Sequence, residues 1–163
     1  MSPGSIQYQW TEDDFKAVDR TVTPWLIVEM HRPLYESQIK LEDVPVGISR
    51  RFELDDLLKD HKVDLVLSGH YHAYLRTCDG LYNSRCNSGG PMHITIGSAG
   101  AELLMVDSYD NQWTDKLIRG EFGYGRVSVA NASALLFEFV KAGPVNDTTA
   151  GDVHDQVWIT RER

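Results

Sequence analysis

The residues with the clearest capacity for chemistry are His70 and His72, which are separated by a single residue. They directly follow the apolar run 63–67, which predicts a buried strand. Neutral imidazole is the commonest metal ligand in proteins, and a turn lets two nearby rings converge. Gly69 is expected to give the backbone the freedom for that turn. The pattern therefore predicts a metal-binding loop at the end of a strand.

A third histidine belongs to the same predicted edge. His31 follows the nearly continuous apolar run 25–30, and apolar residues within 49–61 recur at helical spacing. The order strand, helix, strand predicts two parallel strands. Sites in open α/β sheets form outside the carboxyl ends of such strands, so His31, His70 and His72 are expected together. We interpret them as a metal site in preference to three separately hydrogen-bonded histidines.

The flanking segments predict further elements. A helix with an acidic first turn is expected to begin at Thr11 and to end near residue 20. The apolar run 91–96 predicts a third strand, which contains His93 and ends in the small-residue turn 97–100. The His93 ring is expected to be satisfied within the sheet. The turn allows either a close approach of backbone to a ligand or a tight connection that the fold requires.

The last third of the chain has a different character, because apolar and polar residues alternate or form short runs at 124–129, 134–140 and 155–160. These segments predict antiparallel strands. Residues 102–121 show no pattern that assigns an element. We expect one α/β (α+β) domain over 1–163, with the ligand-bearing portion in 1–100 and the antiparallel strands in 122–163.

Composition excludes several classes of partner. Sixteen basic and twenty-four acidic residues give a net charge of -8, which argues against nucleic acid or an anionic membrane as a partner. No apolar stretch approaches the roughly 20 residues that a membrane span needs, and no signal peptide is visible. An anionic substrate would need local positive charge, such as metal ions.

Two features indicate the secretory route. Cys78 and Cys86 flank a polar loop rich in turn residues, as in a disulfide-closed hairpin, although two free thiols are the equal alternative. Asn131 and Asn146 lie in N-x-S/T acceptor sequences for N-glycosylation.

Five stretches of the chain resemble one family in their order and approximate spacing. They are Gly4-Ser5-Ile6-Gln7-Tyr8-Gln9-Trp10 before the acidic helix, Thr23-Pro24-Trp25 leading to His31-Arg32-Pro33-Leu34-Tyr35, Gly69-His70-Tyr71-His72-Ala73-Tyr74, Ile94-Thr95-Ile96-Gly97, and the closing segment from Gly123. Together they resemble the C-terminal half of a purple acid phosphatase, in the calcineurin-like metallophosphoesterase superfamily. The resemblance implies part of a β-sandwich flanked by helices, with a dinuclear metal centre at the strand ends.

The resemblance also implies roles for the histidines. His31 and His70 would bind a divalent metal ion, zinc, manganese or iron, and His72 would bind a ferric ion. The family's remaining ligands are an aspartate, a bridging aspartate with a nearby tyrosine, and an asparagine followed by histidine. No Gly-Asp-x-x-Tyr or Gly-Asn-His occurs in these 163 residues. The chain is therefore expected to be a fragment, inactive by itself, whose missing ligands would precede Met1.

The loop after His31 carries weaker candidates for catalysis. Arg32 and Tyr35 are expected either to contact phosphate or to pack the loop. The family's acid for the leaving group, a histidine in this loop, is absent here, and Glu42 or Asp43 are only positional candidates.

Two functions are consistent with these observations. The first is a metal-dependent acid phosphatase that hydrolyses phosphate monoesters, secreted or vacuolar, with a homodimer as an allowed assembly. The second is a non-catalytic domain that binds one metal ion weakly or serves as an interaction surface.

Overall fold

The computed structural model of the chain describes residues 2–37, 44–103, 105 and 111–161, and only the backbone of 44–47. The described part contains two helices and eight strands. They are α1 (Ile6–Ala17), β1 (Ile27–Met30), α2 (Val44–Asp60), β2 (Leu65–Ser68), β3 (Tyr74–Thr77), β4 (Met92–Ile96), β5 (Thr114–Ile118), β6 (Gly123–Val129), β7 (Ala134–Lys141) and β8 (Val153–Thr160).

The strands form two sheets. The first has the order β1-β2-β4-β3-β5, in which β1, β2 and β4 are parallel and β3 is antiparallel to both of its neighbours. The second is the antiparallel sheet β6-β7-β8. The predicted mixed α/β fold, with a parallel strand-helix-strand unit followed by antiparallel strands, is confirmed. Strands β3 and β5 were not predicted, because both are short and include charged residues.

Three layers follow from which strand faces are apolar. Alternate residues of β2 face opposite sides, so Val66 packs in a cluster with Leu54, Leu57 and Leu58 of α2. Leu65 packs in a second cluster that is shared by the two sheets. The three-stranded sheet contributes Leu135, Phe137, Phe139 and Ile159 to that second cluster. The five-stranded sheet is thus covered on both faces, as a nearly continuous apolar strand requires.

Helix α1 begins earlier than predicted. Its N-cap is Ser5, whose Oγ accepts the Tyr8 amide at 3.3 Å. The predicted cap, Thr11, is wrong: it lies inside the helix and its Oγ1 donates to the Gln7 carbonyl at 2.9 Å. Both hydroxyl residues can bond backbone groups of a helix, but only a residue at the first turn meets unpaired amides.

The two sheets are joined by a largely buried polar link. Asp155 on β8 accepts the Tyr74 hydroxyl at 2.7 Å and the Arg76 Nε at 2.7 Å, both from β3. Burial and the neighbouring Asp155 carboxylate raise the pKa of Tyr74, so its hydroxyl stays protonated as a donor. Since the partners are about eighty positions apart in sequence, this contact fixes the layers relative to each other.

The connection from β3 to β4 is a loop closed by a disulfide between Cys78 and Cys86. Neither helix in the described part of the chain has the length and apolarity that a membrane-spanning helix requires.

Candidate functional site

His31 and His70 lie side by side at one edge of the five-stranded sheet. Each follows the carboxyl end of a parallel strand, and Met30 and Ser68, the last residues of β1 and β2, are paired in register. The Gly69 amide donates to the His31 carbonyl at 3.0 Å, which joins the two loops. His31 Nε2 and His70 Nδ1 are 3.3 Å apart. Strand register therefore brings together two of the three predicted ligands.

The sharp turn of the loop is made by His70 itself. His70 has φ of 65°, in the left-handed region, whereas Gly69 is not among the described residues with positive φ. The expectation that Gly69 supplies the turn is wrong. Histidine is one of the few residues other than glycine that occupies this region with any frequency, and its strain is offset by the contacts around it.

The part of the loop after His70 is held by a close approach of the backbone at Gly97. The Gly97 amide donates to the Ala73 carbonyl at 3.1 Å, and a Cβ at Gly97 would lie 1.7 Å from the Tyr71 carbonyl oxygen. The small-residue turn after β4 is therefore explained by contact with the histidine loop. Only a residue without a side chain fits there.

His72 is oriented by a different contact. Its Nδ1 lies 2.5 Å from the backbone carbonyl oxygen of Glu102. Since a carbonyl can only accept, Nδ1 carries the proton and Nε2 is left as the basic nitrogen. Over the part of the chain that the structure describes, no group of three or more His, Cys, Asp or Glu side chains is arranged to hold a metal ion. His31, His70 and His72 therefore do not form such a three-ligand group in the described structure.

The spacing of the pair suits one shared metal ion. Two nitrogen ligands of a tetrahedral Zn²⁺ ion, with Zn–N bonds of about 2.0–2.1 Å, are about 3.3 Å apart. The separation between His31 Nε2 and His70 Nδ1 is 3.3 Å. Two imidazoles nonetheless occupy only half of a tetrahedral shell, so a stable site needs further ligands.

An open cavity of about 550 Å³ lies beside His31 and is also lined by Gly69, Ala99, Tyr124 and Glu29 among others. Glu29 was not predicted as a site residue. The available signal was its position as the single charge within the apolar run 25–30, two residues before His31.

Of the weaker candidates, Tyr35 has the best-defined surroundings. Tyr35 is 1% exposed, and its hydroxyl donates to the Asp55 carboxylate. Burial and this contact raise the pKa of Tyr35, while burial raises the pKa of Asp55. The geometry favours the packing role for Tyr35 over contact with phosphate. Arg32 is half-buried, and Glu42 and Asp43 lie outside the described residues.

His93 differs from its expectation. Its ring is buried against Tyr35, with 4.8 Å between ring centroids, and its Nε2 has no hydrogen-bond partner in the described structure. Burial lowers the pKa of His93 to about 3. The ring is therefore neutral in the core. The expectation that the sheet would satisfy it is wrong for Nε2, which has no partner in the described structure.

The glycosylation candidates are both exposed. The Asn131 Oδ1 accepts the amides of Ser133 and Ala134 at 2.8 and 2.9 Å in the turn between β6 and β7. Asn146 lies in the longer connection between β7 and β8.

Comparison with known proteins shows the family to which a chain with this fold belongs. Residues 2–74 match the family model described as calcineurin-like phosphoesterase. Residues 90–156 match the model described as iron/zinc purple acid phosphatase-like protein C. The chain belongs to the purple acid phosphatase family.

Relatives and a solved structure extend this finding. The chain is 34% identical over 162 residues to probable purple acid phosphatase 20 of Arabidopsis thaliana, covering 98% of this chain and 37% of that protein. It is 33% identical over 177 residues to probable inactive purple acid phosphatase 24 of the same plant, covering 98% and 27%. The structure of purple acid phosphatase PPD1 from yellow lupin (Lupinus luteus) seeds superposes with a TM-score of 0.84 at 30% identity, covering 99% of this chain and 29% of that one. The chain thus spans about a third of the length of these relatives.

Proposed function

We propose that this chain supplies the imidazole ligands of a dinuclear metal centre that hydrolyses phosphate monoesters. The observation that carries the proposal is the meeting of His31 Nε2 and His70 Nδ1, 3.3 Å apart at the ends of two parallel strands. In this proposal both nitrogens bind one divalent ion, and His72 offers its Nε2 to a second, ferric ion. When bound, the two ions supply a nucleophile from water at modest pH and neutralise charge on the phosphoryl group.

The choice of metals rests on ligand type and on the family description. Neutral imidazole suits zinc and iron, and the family model that matches residues 90–156 is described as iron/zinc. Zinc is the divalent ion that we propose, with manganese and ferrous iron as alternatives. The bridging carboxylate and the remaining ligands would come from polypeptide outside these 163 residues, as expected from the missing motifs.

The cavity beside the histidines would receive the substrate and the missing ligands. Both His31 and Glu29 line it. Secretion or vacuolar delivery is the proposed route, supported by the disulfide and by the exposure of Asn131 and Asn146.

The ligand assignment is tested by Zn²⁺ titration of the 163-residue chain. We expect His31→Ala and His70→Ala each to weaken Zn²⁺ binding by at least tenfold, because a lone imidazole holds the ion poorly. His154→Ala is the matched control and should change the affinity less than twofold, since that ring pairs with Glu121. Equal affinity in all four proteins would contradict the assignment.

Catalysis is tested separately with an aryl phosphate. We expect the chain alone, with iron and zinc added, to hydrolyse it no faster than buffer, because three imidazoles cannot bridge two cations. Turnover by the chain alone would show that the proposed ligand set is incomplete.

A non-catalytic domain is the second candidate. One support is that no group of three metal-binding side chains is arranged to hold a metal ion among the described residues. Another is that one relative is named a probable inactive purple acid phosphatase. A full-length protein with intact metal ligands and no phosphatase activity would support it.

A further inference from the structure

The segment that carries His31 is anchored by a buried residue further along the chain. Residues 33–37 are buried, and Tyr35, four residues after His31, is the largest of them. Its ring lies edge-on to His93 and to Trp113, with centroids at 4.8 and 5.4 Å. Packing alone fixes the ring plane, whereas the hydroxyl needs a specific partner.

That partner is Asp55 of helix α2, which is 8% exposed. Its Oδ2 accepts the Tyr35 hydroxyl and the Asn83 amide, the latter at 2.9 Å. The amide of Ser84 in turn donates to the Tyr35 oxygen at 3.4 Å. A carboxylate that accepts from two different segments holds them at a fixed separation, because charge-assisted hydrogen bonds are short and directional.

Asn83 and Ser84 belong to the disulfide loop. Both have left-handed φ values, of 48° and 59°, so the loop presents two successive amides inward at some cost in strain. The disulfide between Cys78 and Cys86 closes this loop. Arg51 of α2 adds a second connection, since its Nη1 donates to the Ser84 Oγ at 3.0 Å and its guanidinium lies 5.0 Å from the Tyr35 ring centroid.

We propose that Tyr35 and Asp55 are positioning residues which, together with the disulfide loop, set the place of His31 against His70. This inference rests on the proposed function, because it assigns the network to the ligand pair. The backbone contact between Gly69 and His31 fixes one end of the His31 segment, and the Tyr35 hydroxyl fixes the other. Loss of the hydroxyl releases the second end while the ring stays packed.

The test compares two tyrosines that donate to neighbouring carboxylates of α2. Tyr35→Phe removes the hydroxyl bonded to Asp55, and Tyr82→Phe removes the one bonded to Asp56 at 2.7 Å on the surface. The ring centroids of His31 and His70 are 5.2 Å apart. We therefore expect to observe a nuclear Overhauser effect between their ring protons in the metal-free chain. It should persist in Tyr82→Phe and fall at least threefold in Tyr35→Phe. An unchanged effect in folded Tyr35→Phe would overturn the proposal.

A second variant keeps the test decisive if Tyr35→Phe misfolds. Asp55→Asn keeps the size of the side chain but weakens both bonds, and we expect an intermediate loss of the effect. If Tyr35→Phe does not fold, an unchanged effect in Asp55→Asn overturns the proposal instead.

Zn²⁺ titration of the same proteins separates this proposal from the proposed function. We expect Tyr35→Phe to weaken binding by roughly tenfold, the lower end of the loss seen when a residue that helps to orient a ligand is removed, and Tyr82→Phe by less than twofold. Zn²⁺ binding that is independent of His31 and His70 would contradict the proposed function, while the Overhauser effect would still decide the role of Tyr35.

Discussion

His70 combines a strained backbone with a side chain that could bind metal. A left-handed residue other than glycine costs on the order of 1 kcal/mol or more and persists where its surroundings hold it. Here the surroundings are the bond between Gly69 and His31 and the close approach of Gly97 to Tyr71. The conformation turns the His70 ring toward His31, where a helical or extended residue would direct it elsewhere.

His93 is the residue whose titration should be visible in stability. Its pKa is about 3 in the folded chain and about 6.5 when unfolded. Between these values the unfolded state binds the additional proton, so stability falls as pH falls below about 6.5. From pH 7.5 to 5.0 this group should remove about 2 kcal/mol.

Urea unfolding at both pH values tests this expectation. His93→Phe removes the titrating ring and a buried nitrogen without a partner, so its stability at pH 7.5 should lie within about 1 kcal/mol of the natural chain. Its loss between pH 7.5 and 5.0 should be smaller by about 2 kcal/mol. Parallel losses in the two proteins would show that His93 is not the titrating group.

At the scale of elements, the site consists of strand ends and the turns that follow them. The histidine loop after β2 packs on the turn after β4, and β1 is aligned with β2 so that His31 meets the loop. Strand β1 lies at one edge of the five-stranded sheet although its sequence, apart from Glu29, is apolar on both faces. Such a pattern is typical of a strand that is covered on both faces, which a position at the edge of the sheet allows.

The turn after β4 gives a matched pair of glycine substitutions. Gly97→Ala should destabilise the chain by about 3 kcal/mol, because its Cβ would meet the Tyr71 carbonyl oxygen at 1.7 Å and must displace the backbone of the histidine loop. Gly100→Ala, with nothing within 4 Å, should change the free energy of unfolding by less than about 0.5 kcal/mol. Chemical denaturation measures both, and equal effects would contradict the role assigned to Gly97.

At the scale of the whole molecule, the two sheets depend on a shared apolar cluster and on the link from β3 to Asp155. Asp155 has a side chain 10% exposed, whereas Asp115, the other carboxylate partner of Arg76, is 46% exposed. Removing Asp155 leaves the Tyr74 hydroxyl and the Arg76 Nε without their largely buried acceptor, which is more costly than loss of a surface pair.

The prediction for this link uses both carboxylates. Asp155→Ala should lower the free energy of unfolding by about 3 kcal/mol, because Arg76 and Tyr74 lose their buried acceptor. Asp115→Ala should lower it by at most about 1 kcal/mol. Thermal and urea unfolding provide the measurement, and a similar cost for both variants would mean that the sheets are held by apolar packing alone.

The sequence determined the elements whose pattern is local and strong. The apolar run before His31, the helical spacing in α2 and the run before His70 were sufficient to predict parallel strands with histidines at one edge. Strands β3 and β5 were not predicted because their residues acquire strand character only through pairing, of β3 with β4 and of β3 with β5.

Only the tertiary structure decided which side chains meet. Three features depend on residues distant in the chain: the hydrogen bond from Tyr35 to Asp55, the contact of His72 with the Glu102 carbonyl, and the burial of the His93 Nε2 without a partner in the described structure. Residue type and spacing report what each segment can do by itself. Burial and hydrogen bonding between segments, which decide whether Tyr35 packs or could contact a phosphate, arise only when the layers are assembled.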